Sequence, residues 1–328
     1  MYGTGDAAEK IIRELDIRGI RVSGIFASDG FVRDRSFCGY KVQSYSDAKE
    51  KFGDMTVLLC FGSHRPEVIE NIVRIDSEQD LFAPDLPVAG EGLFDRSFYE
   101  AHRKDFDWAR ALLCDEQSLL VFDDVLEYKL SGRIKPLLEC QSPQEENWSI
   151  AVKPGMSFLD LGAYTGDTVL LFEKLTGKDR GKVTAVEPEG RNFRKLTENT
   201  AGLDNIRLVN AAAADYCGSC EFTFAAGKGG ALGKGKARQV SVLTADSIMD
   251  GEDVDLIKLD LEGAESAALA GAENTIRRCR PAIIAAAYHR NEDLFAIPRQ
   301  VLAMCPDYKV MLRRNPGLPA WEIEYFFI

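Results

Sequence analysis

Residues 158–167 read FLDLGAYTGD, and residues 183–188 read VTAVEP. In each stretch a short apolar run ends in a carboxylate, Asp160 in the first and Glu187 in the second. A strand, a tight Gly-x-x-x-Gly turn, an apolar helix and a second strand make one βαβ unit. Such a unit places a nucleoside across the carboxyl ends of its strands. The two stretches therefore predict a parallel α/β sheet with a nucleoside-binding edge.

The alternation of apolar runs and helical stretches continues to the end of the sequence. Strands are expected near 157–162, 182–187, 206–210, 254–260 and 282–287, with two closing runs at 308–312 and 321–327. Helices are expected at 166–176, 191–200, 265–278 and 292–304. Seven strands fit a doubly wound sheet, so residues 151–328 are predicted to form one Rossmann-like domain.

Residues 1–84 predict a smaller Rossmann-like α/β domain, because apolar runs again alternate with helical stretches. Residues 3–8, GTGDAA, fit the dinucleotide template G-x-G-x-x-A, and Asp29 follows as a candidate ribose-binding acid. Only two residues precede Gly3, so the first strand of such a domain is missing unless the chain is shortened at its start. Nucleotide binding and a purely structural role both stay open for this domain.

Residues 85–150 predict a helical connector between the two domains. Helices are expected at 97–113 and 117–130, and the polar stretch at 141–147 predicts a linker.

A glycine-rich basic segment lies at 225–238, with five glycines, four positive charges and no acid. It is interpreted either as a lid that closes over a substrate phosphate or as a solvated hairpin tip.

Composition narrows the classes of partner. The chain has 328 residues, of which 45% are hydrophobic and 28% charged, which is typical of a soluble globular protein. Its formal net charge of −12 argues against nucleic acid as the partner, because that binding comes largely from Lys and Arg. No stretch approaches the ~20 apolar residues of a membrane span, and no export signal is recognised. We therefore expect a cytoplasmic protein with a small-molecule or saccharide substrate.

The residues around the first turn separate two classes of cofactor. Asp167 would repel a pyrophosphate at the start of the following helix, whereas it is compatible with a zwitterionic sulfonium. S-adenosylmethionine is therefore favoured over NAD in this domain. Asp160 would hold the methionine ammonium, directly or through water, and Glu187 would accept hydrogen bonds from both ribose hydroxyls. The alternative is that both acids cap elements of an ordinary α/β fold.

Two later strand ends supply candidate acceptor-side residues. Asp260 and Glu262 follow the strand at 254–260 and lie on the same side by strand alternation, and His289 follows the next strand. A hydroxyl is methylated efficiently only when its proton is removed, and His suits that task near neutral pH. His289 is thus a candidate base or substrate ligand. A loop-packing role and a metal-ligand role with Asp260 or Glu262 stay open, although no metal site is predicted.

The chain resembles the FkbM-type methyltransferases, which use S-adenosylmethionine and in many cases O-methylate sugars or polyketide hydroxyls. The motifs that carry the resemblance are DLGAYTGD at 160–167, VEP at 186–188, NAAAAD at 210–215 and IKLDLEGAE at 257–265, followed by Arg-Pro at 280–281 and His289. The resemblance implies a seven-stranded methyltransferase fold, with Asp215 near the adenine. The candidate cofactor-binding residues are Asp160, Gly162, Ala163, Tyr164, Gly166, Asp167, Thr168, Glu187, Pro188, Ala213, Asp215 and Asp260.

These observations predict an S-adenosylmethionine-dependent O-methyltransferase that acts on a saccharide or glycoconjugate precursor. His289 is the candidate base, and Asp260 with Glu262 shapes the acceptor side or holds a divalent ion. Two rival hypotheses remain. One is an NAD-dependent or sugar-nucleotide-binding enzyme that uses the loop at 3–8, and the other is a non-catalytic nucleoside-binding module. The oligomeric state, including a homodimer, is left open.

Overall fold

The computed structural model of the chain describes residues 1–32, 36–90, 92–177, 179–223, 237–319 and 321–328. Nearly all of the basic segment expected at 225–238 lies outside these residues, so its two interpretations stay predictions. Within the described ranges, no helix is both long enough and apolar enough to cross a membrane.

The N-terminal unit, residues 1–82, contains two small sheets that the backbone of Tyr2 joins. Its elements are α1 (Asp6–Ile17), β1 (Ile25–Ala27), a 3₁₀ turn (Asp29–Phe31), β2 (Ser36–Phe37), β3 (Tyr40–Ser44), α2 (Tyr45–Phe52), β4 (Thr56–Leu58), α3 (Pro66–Glu78) and β5 (Asp80–Phe82). Strand β3 pairs in parallel with β1 and antiparallel with β2, while β4 pairs in parallel with β5. Tyr2 bridges in parallel to Phe26 on one side and to Leu59 on the other. The order β3, β1, Tyr2, β4, β5 is that of a dinucleotide-binding sheet, with Tyr2 in the place of the first strand.

The next part of the chain is helical. Two helices, one on either side of His102, lie where the sequence predicted one. The helices of this part are α4 (Arg96–Ala101), α5 (Arg103–Ala111), α6 (Glu116–Ser131), α7 (Lys135–Glu139) and α8 (Gln144–Trp148). The prediction of a single helix at 97–113 is wrong, because the chain leaves helical geometry at His102. The His102 ring stacks on Phe295 of the later domain, with centroids 5.2 Å apart. Tertiary packing therefore accompanies the break in this helix.

The polar stretch at 141–147 is also not a simple linker. It contains the first residues of α8, and both Asn147 and Trp148 are buried. The Asn147 amide donates a hydrogen bond to Asn315 at 2.9 Å, and the Trp148 indole donates one to Glu324 at 3.2 Å. These partners lie far away in sequence, so local polarity gave no sign of the burial.

The remaining elements include a seven-stranded sheet, which confirms the predicted fold class, and a separate three-stranded sheet. They are β6 (Phe158–Leu161), α9 (Asp167–Thr176), β7 (Val183–Val186), α10 (Gly190–Asn199), β8 (Ile206–Val209), β9 (Ala212–Ala213), β10 (Gly218–Thr223), β11 (Ala237–Leu243), α11 (Ala245–Met249), β12 (Leu256–Leu259), α12 (Glu265–Ala270), α13 (Glu273–Cys279), β13 (Ala282–Ala286), α14 (Asp293–Met304), β14 (Val310–Arg314) and β15 (Ile323–Phe327). The strand order is β14-β15-β13-β12-β6-β7-β8, and β15 runs in the direction opposite to the other six strands. Strands β6, β7 and β12 are buried along their whole length, as expected for a parallel sheet covered on both faces.

The helix predicted at 265–278 is divided into α12 and α13 at Gly271. A Cβ built on Gly271 would lie 2.0 Å from the carbonyl oxygen of Ala214. The Gly271 carbonyl in turn accepts a hydrogen bond from the backbone N–H of Asp246 at 2.9 Å. The break thus lets two backbones approach closely at a point where a side chain would not fit.

The N-terminal unit contacts the large sheet near the carboxyl end of β13. Ser63 and Leu318 exchange two backbone hydrogen bonds, of 2.7 and 3.0 Å. A Cβ on Gly62 would lie 2.4 Å from the ring of Trp321, which shows how closely the two surfaces meet. The backbone N–H of Ala89 donates to the carbonyl of His289 at 3.0 Å. The N-terminal unit and the segment that follows it therefore reach the edge of the sheet where a ligand is expected.

We predict that Gly271→Ala lowers the free energy of unfolding by about 1–3 kcal/mol, because the added methyl group meets a backbone carbonyl that cannot move easily. Urea denaturation measures this change. Gly202→Ala is the control, since no atom lies within 4 Å of its added Cβ, and we expect a change within about 0.5 kcal/mol. Equal effects of the two substitutions would contradict the close approach at Gly271.

Candidate active site

Asp160 lies at the end of β6 and is completely buried. Its Oδ2 accepts a hydrogen bond from the hydroxyl of Thr168. Its Oδ1 lies 3.5 Å from Nζ of Lys258, and no hydrogen bond to this oxygen is found within the described residues. Burial raises the pKa of Asp160, while the Lys258 ammonium opposes that rise. Asp160 therefore lies beneath the edge of the sheet, paired with a cation of the protein.

Glu187 lies at the end of the neighbouring strand β7, with both carboxylate oxygens oriented by backbone N–H groups. Oε2 accepts a hydrogen bond from Tyr164 at 3.0 Å, and Oε1 accepts one from Glu189 at 2.8 Å. Burial raises the pKa of Glu187 to about 7, although these backbone donors favour its charged form. A carboxylate has about four lone-pair positions. Glu187 can thus accept further hydrogen bonds from a ligand while the protein holds its orientation.

The two turn glycines have a reason to be glycine that the sequence did not reveal. A Cβ on Gly162 would lie 2.0 Å from the carbonyl oxygen of Asp260, and Gly162 has a φ of 87°. A Cβ on Gly166, whose φ is 89°, would lie 2.9 Å from Leu196 of α10. The protein's own packing therefore requires both glycines, in addition to any approach of a cofactor.

The other candidate cofactor residues surround these strand ends at different depths. Ala163, Thr168 and Ala213 are buried, Tyr164 and Pro188 are half-buried, and Asp167 and Asp215 are exposed. Asp167 is the first residue of α9, where a negative charge favours the positive end of the helix. Asp215 follows β9, five residues after Asn210, whose amide donates to the carbonyl of Glu187 at 2.8 Å.

The three acceptor-side candidates come together at the ends of β12 and β13. Nε2 of His289 lies 3.5 Å from Oδ1 of Asp260 and 3.7 Å from Oε2 of Glu262. On the other side of the ring, Nδ1 lies 2.8 Å from Oε1 of Glu265. The His289 side chain is only 1% exposed, whereas Glu262 is 68% exposed. A buried imidazole thus faces two carboxylates at the entrance and is backed by a third.

These carboxylates determine the charge of His289. Burial alone lowers the pKa of the imidazole, but the contact with Glu265 and the charges of Asp260 and Glu262 outweigh it and raise the pKa of His289 to about 9. At neutral pH the imidazole of the free protein therefore carries its proton. A proton taken from a substrate at this rim must pass to a carboxylate, or His289 must first lose its own proton.

Two further residues of the motif at 257–265 lie in the candidate site, although the sequence predicted no role for them. Lys258 is buried in an apolar strand, where it donates a hydrogen bond to the Gly162 carbonyl at 2.9 Å and lies 3.7 Å from Asp260. Glu265 is 1% exposed beside His289. The sequence did contain a signal for Lys258, because it places a lysine between Leu and Ile residues in a strand predicted to be buried. A buried charge needs a partner, so an ion pair could have been predicted there. Nothing in the sequence paired Glu265 with His289.

The N-terminal glycine loop is filled by protein side chains. A Cβ on Gly3 would lie 2.2 Å from the ring of Phe61, so this ring occupies the space above the loop. Asp29, the candidate ribose acid, accepts hydrogen bonds from the backbone and hydroxyl of Ser46 at 3.0 and 2.8 Å. These contacts favour the structural interpretation of the N-terminal unit over nucleotide binding.

Comparisons with known proteins agree with this geometry. A family model described as the methyltransferase FkbM domain matches residues 160–309. The 2-O-methyltransferase NoeI of Sinorhizobium fredii (strain NBRC 101917 / NGR234) is 29% identical, over 40% of this chain and 63% of NoeI. The chain thus spans less than two thirds of the length of that curated relative.

The same fold is present in a solved structure. The methyltransferase FkbM from Methylobacillus flagellatus KT aligns with a TM-score of 0.72 and 19% identity, over 94% of this chain and 84% of that chain. The alignment extends beyond the large sheet, so the shared architecture includes most of the N-terminal unit. Residues 160–309 of this chain thus match the methyltransferase FkbM domain, and the chain shares the fold of that solved structure.

Proposed function

We propose that the protein transfers the methyl group of S-adenosylmethionine to a hydroxyl of a saccharide or glycoconjugate precursor. The observation that carries this proposal is the meeting of two sites at one edge of the sheet. Glu187 ends β7, Asp160 ends β6, and the His289 cluster ends the next two strands, β12 and β13. Ligands of open α/β sheets bind at this edge, so a donor and an acceptor can stand side by side there.

On the donor side, Glu187 binds the ribose. Its two oriented oxygens suit the two hydroxyls of a ribose, and the exposed Asp167 disfavours a pyrophosphate at the start of α9. Asp160 is too deeply buried to contact much of the ligand directly. It therefore attracts the methionine ammonium through a water molecule or through the turn above it. The adenine extends toward Ala213 and Asp215.

On the acceptor side, His289, Asp260 and Glu262 hold the substrate hydroxyl. As the oxygen forms a bond to the methyl carbon, the bond from that carbon to sulfur breaks and its electron pair stays on the sulfur. The sulfonium becomes the thioether of S-adenosylhomocysteine, and the hydroxyl proton passes to the acceptor-side cluster. Most of the acceleration comes from aligning the oxygen, the carbon and the sulfur.

Two observations support an oxygen acceptor on an uncharged or cationic molecule. The name of NoeI specifies 2-O-methylation, and that relative is 29% identical to this chain over the aligned part. Three carboxylates surround His289, so the described part of the rim repels phosphate groups. A cytoplasmic location and a small-molecule partner agree with the composition and remain part of the proposal.

We predict that the protein binds S-adenosylhomocysteine with a micromolar Kd, and that Glu187→Ala weakens binding at least about 100-fold, because two hydrogen bonds to a charged group are lost. Isothermal calorimetry measures both. Glu198→Ala, on the exposed face of α10, is the matched control and should bind like the parent protein. Binding of NAD in place of this ligand would support a dinucleotide enzyme, and binding of neither would favour a non-catalytic module.

We predict that affinity for S-adenosylhomocysteine rises roughly ten-fold between pH 6 and pH 8, because the ionised Glu187 is the better acceptor and its pKa lies at about 7. The direction follows from the raised pKa, since the carboxyl loses its proton within this interval. Glu187→Gln should bind more weakly and show no such rise. A rise of the same size in Glu187→Gln would assign the pH dependence to another group.

We predict that His289→Ala retains binding of S-adenosylhomocysteine and loses about 10²–10⁴-fold in methyl transfer to a saccharide acceptor. The measurement follows a labelled methyl group by mass spectrometry across a panel of saccharides. His102→Ala, which changes a histidine outside the site, is the control for nonspecific loss. Full turnover in His289→Ala would remove this residue from the reaction.

A further inference from the structure

The acceptor-side cluster has the geometry of a divalent cation site. Nε2 of His289 is 3.5 Å from Oδ1 of Asp260 and 3.7 Å from Oε2 of Glu262, which is longer than an ordinary N–H···O hydrogen bond. Neighbouring ligand atoms around one cation, bound at about 2.1 Å, are roughly 3.0–3.4 Å apart. Each of the two carboxylate oxygens thus stands slightly farther from Nε2 than two ligands of one ion would, so an ion between them needs a small adjustment of either side chain.

His289 provides an observation that is independent of the acids. Its side chain is 1% exposed, and its Nδ1 lies 2.8 Å from Oε1 of Glu265. No hydrogen bond to Nε2 is found within the described residues, although this atom points into the cluster. One ligand atom each of Asp260, Glu265 and His289 lie within 4.8 Å of one another. A buried imidazole thus presents to these carboxylates an Nε2 that makes no hydrogen bond to the described residues.

Glu265 lies behind the imidazole of His289, where it can act as a positioning residue. Metal-binding histidines are commonly oriented by a carboxylate on their second ring nitrogen. Glu265 lies 2.8 Å from Nδ1, and backbone N–H groups of Leu261 and Gly263 hold its Oε1 at 2.6 and 3.4 Å. This arrangement leaves Nε2 for the ion.

Glu262 also has an unusual backbone that favours this arrangement. Its φ is 52°, in the left-handed region that a glutamate seldom adopts. Such conformations persist where the surrounding structure enforces them, and they concentrate at functional sites. In this conformation the Glu262 carboxylate comes within 3.7 Å of His289 even though the residue is largely exposed.

We propose that Asp260, Glu262 and Nε2 of His289 bind one divalent first-row cation, with positions left for the acceptor hydroxyl and water. Carboxylate and imidazole ligands together suit ions such as Mn²⁺. The consequence for catalysis rests on the proposed function: the ion would hold the acceptor oxygen and favour loss of its proton. His289 would then be an ion ligand, and a second carboxylate oxygen of the cluster would take the proton.

Titration of the metal-stripped full-length protein with Mn²⁺, followed by electron paramagnetic resonance, tests this site without any substrate. We expect one saturable site, with Glu262→Gln weakening its Kd at least ten-fold. Glu322→Gln changes another acid, beside His64, and should leave the Kd within two-fold of the parent value. Absence of a saturable site below 1 mM, on the order of the weakest specific protein sites for divalent ions, would overturn the proposal, as would equal affinity in Glu262→Gln.

Calorimetry with S-adenosylhomocysteine on the same preparation separates this proposal from the proposed function. Mn²⁺ binding with no nucleoside binding would keep the ion site and reject the methyltransferase function. Nucleoside binding with no Mn²⁺ site would keep the function and reject the ion.

Discussion

The buried ammonium of Lys258 joins the two halves of the candidate site. It donates a hydrogen bond to the Gly162 carbonyl at 2.9 Å and lies 3.5 Å from Asp160 and 3.7 Å from Asp260. Asp160 and Gly162 belong to the proposed donor side, while Asp260 belongs to the proposed acceptor side. Both the turn after β6 and the end of β12 therefore depend on one charge, and the two acids balance the cost of burying it.

The contact between these strand ends also explains the glycine at position 162. The carbonyl of Asp260 approaches Gly162 so closely that a side chain there would collide with it. The proposed donor and acceptor sites are thus held together by backbone packing as well as by charge. A substitution that separates the strand ends would disturb both sites at once.

Sequence periodicity was sufficient for the sheet and for the positions of the strand-end acids, because those depend on neighbours within one βαβ unit. Buried apolar strands, the glycine turn and the strand-end acids all follow from local patterns. Contacts between residues distant in sequence could not be predicted from such local patterns. The pairing of Glu265 with His289, the burial of Trp148 against Glu324 and the helix break at Gly271 each involve partners distant in sequence. The domain boundaries at residues 84 and 150 stay predictions.

The most direct test is a crystal structure of the chain with S-adenosylhomocysteine. We expect the ribose hydroxyls on the Glu187 carboxylate, with the sulfur on the side of Asp260 and His289, where the methyl group would meet an acceptor oxygen. A ligand seated at the N-terminal glycine loop, or one whose sulfur points away from His289, would contradict the meeting of donor and acceptor at this edge of the sheet.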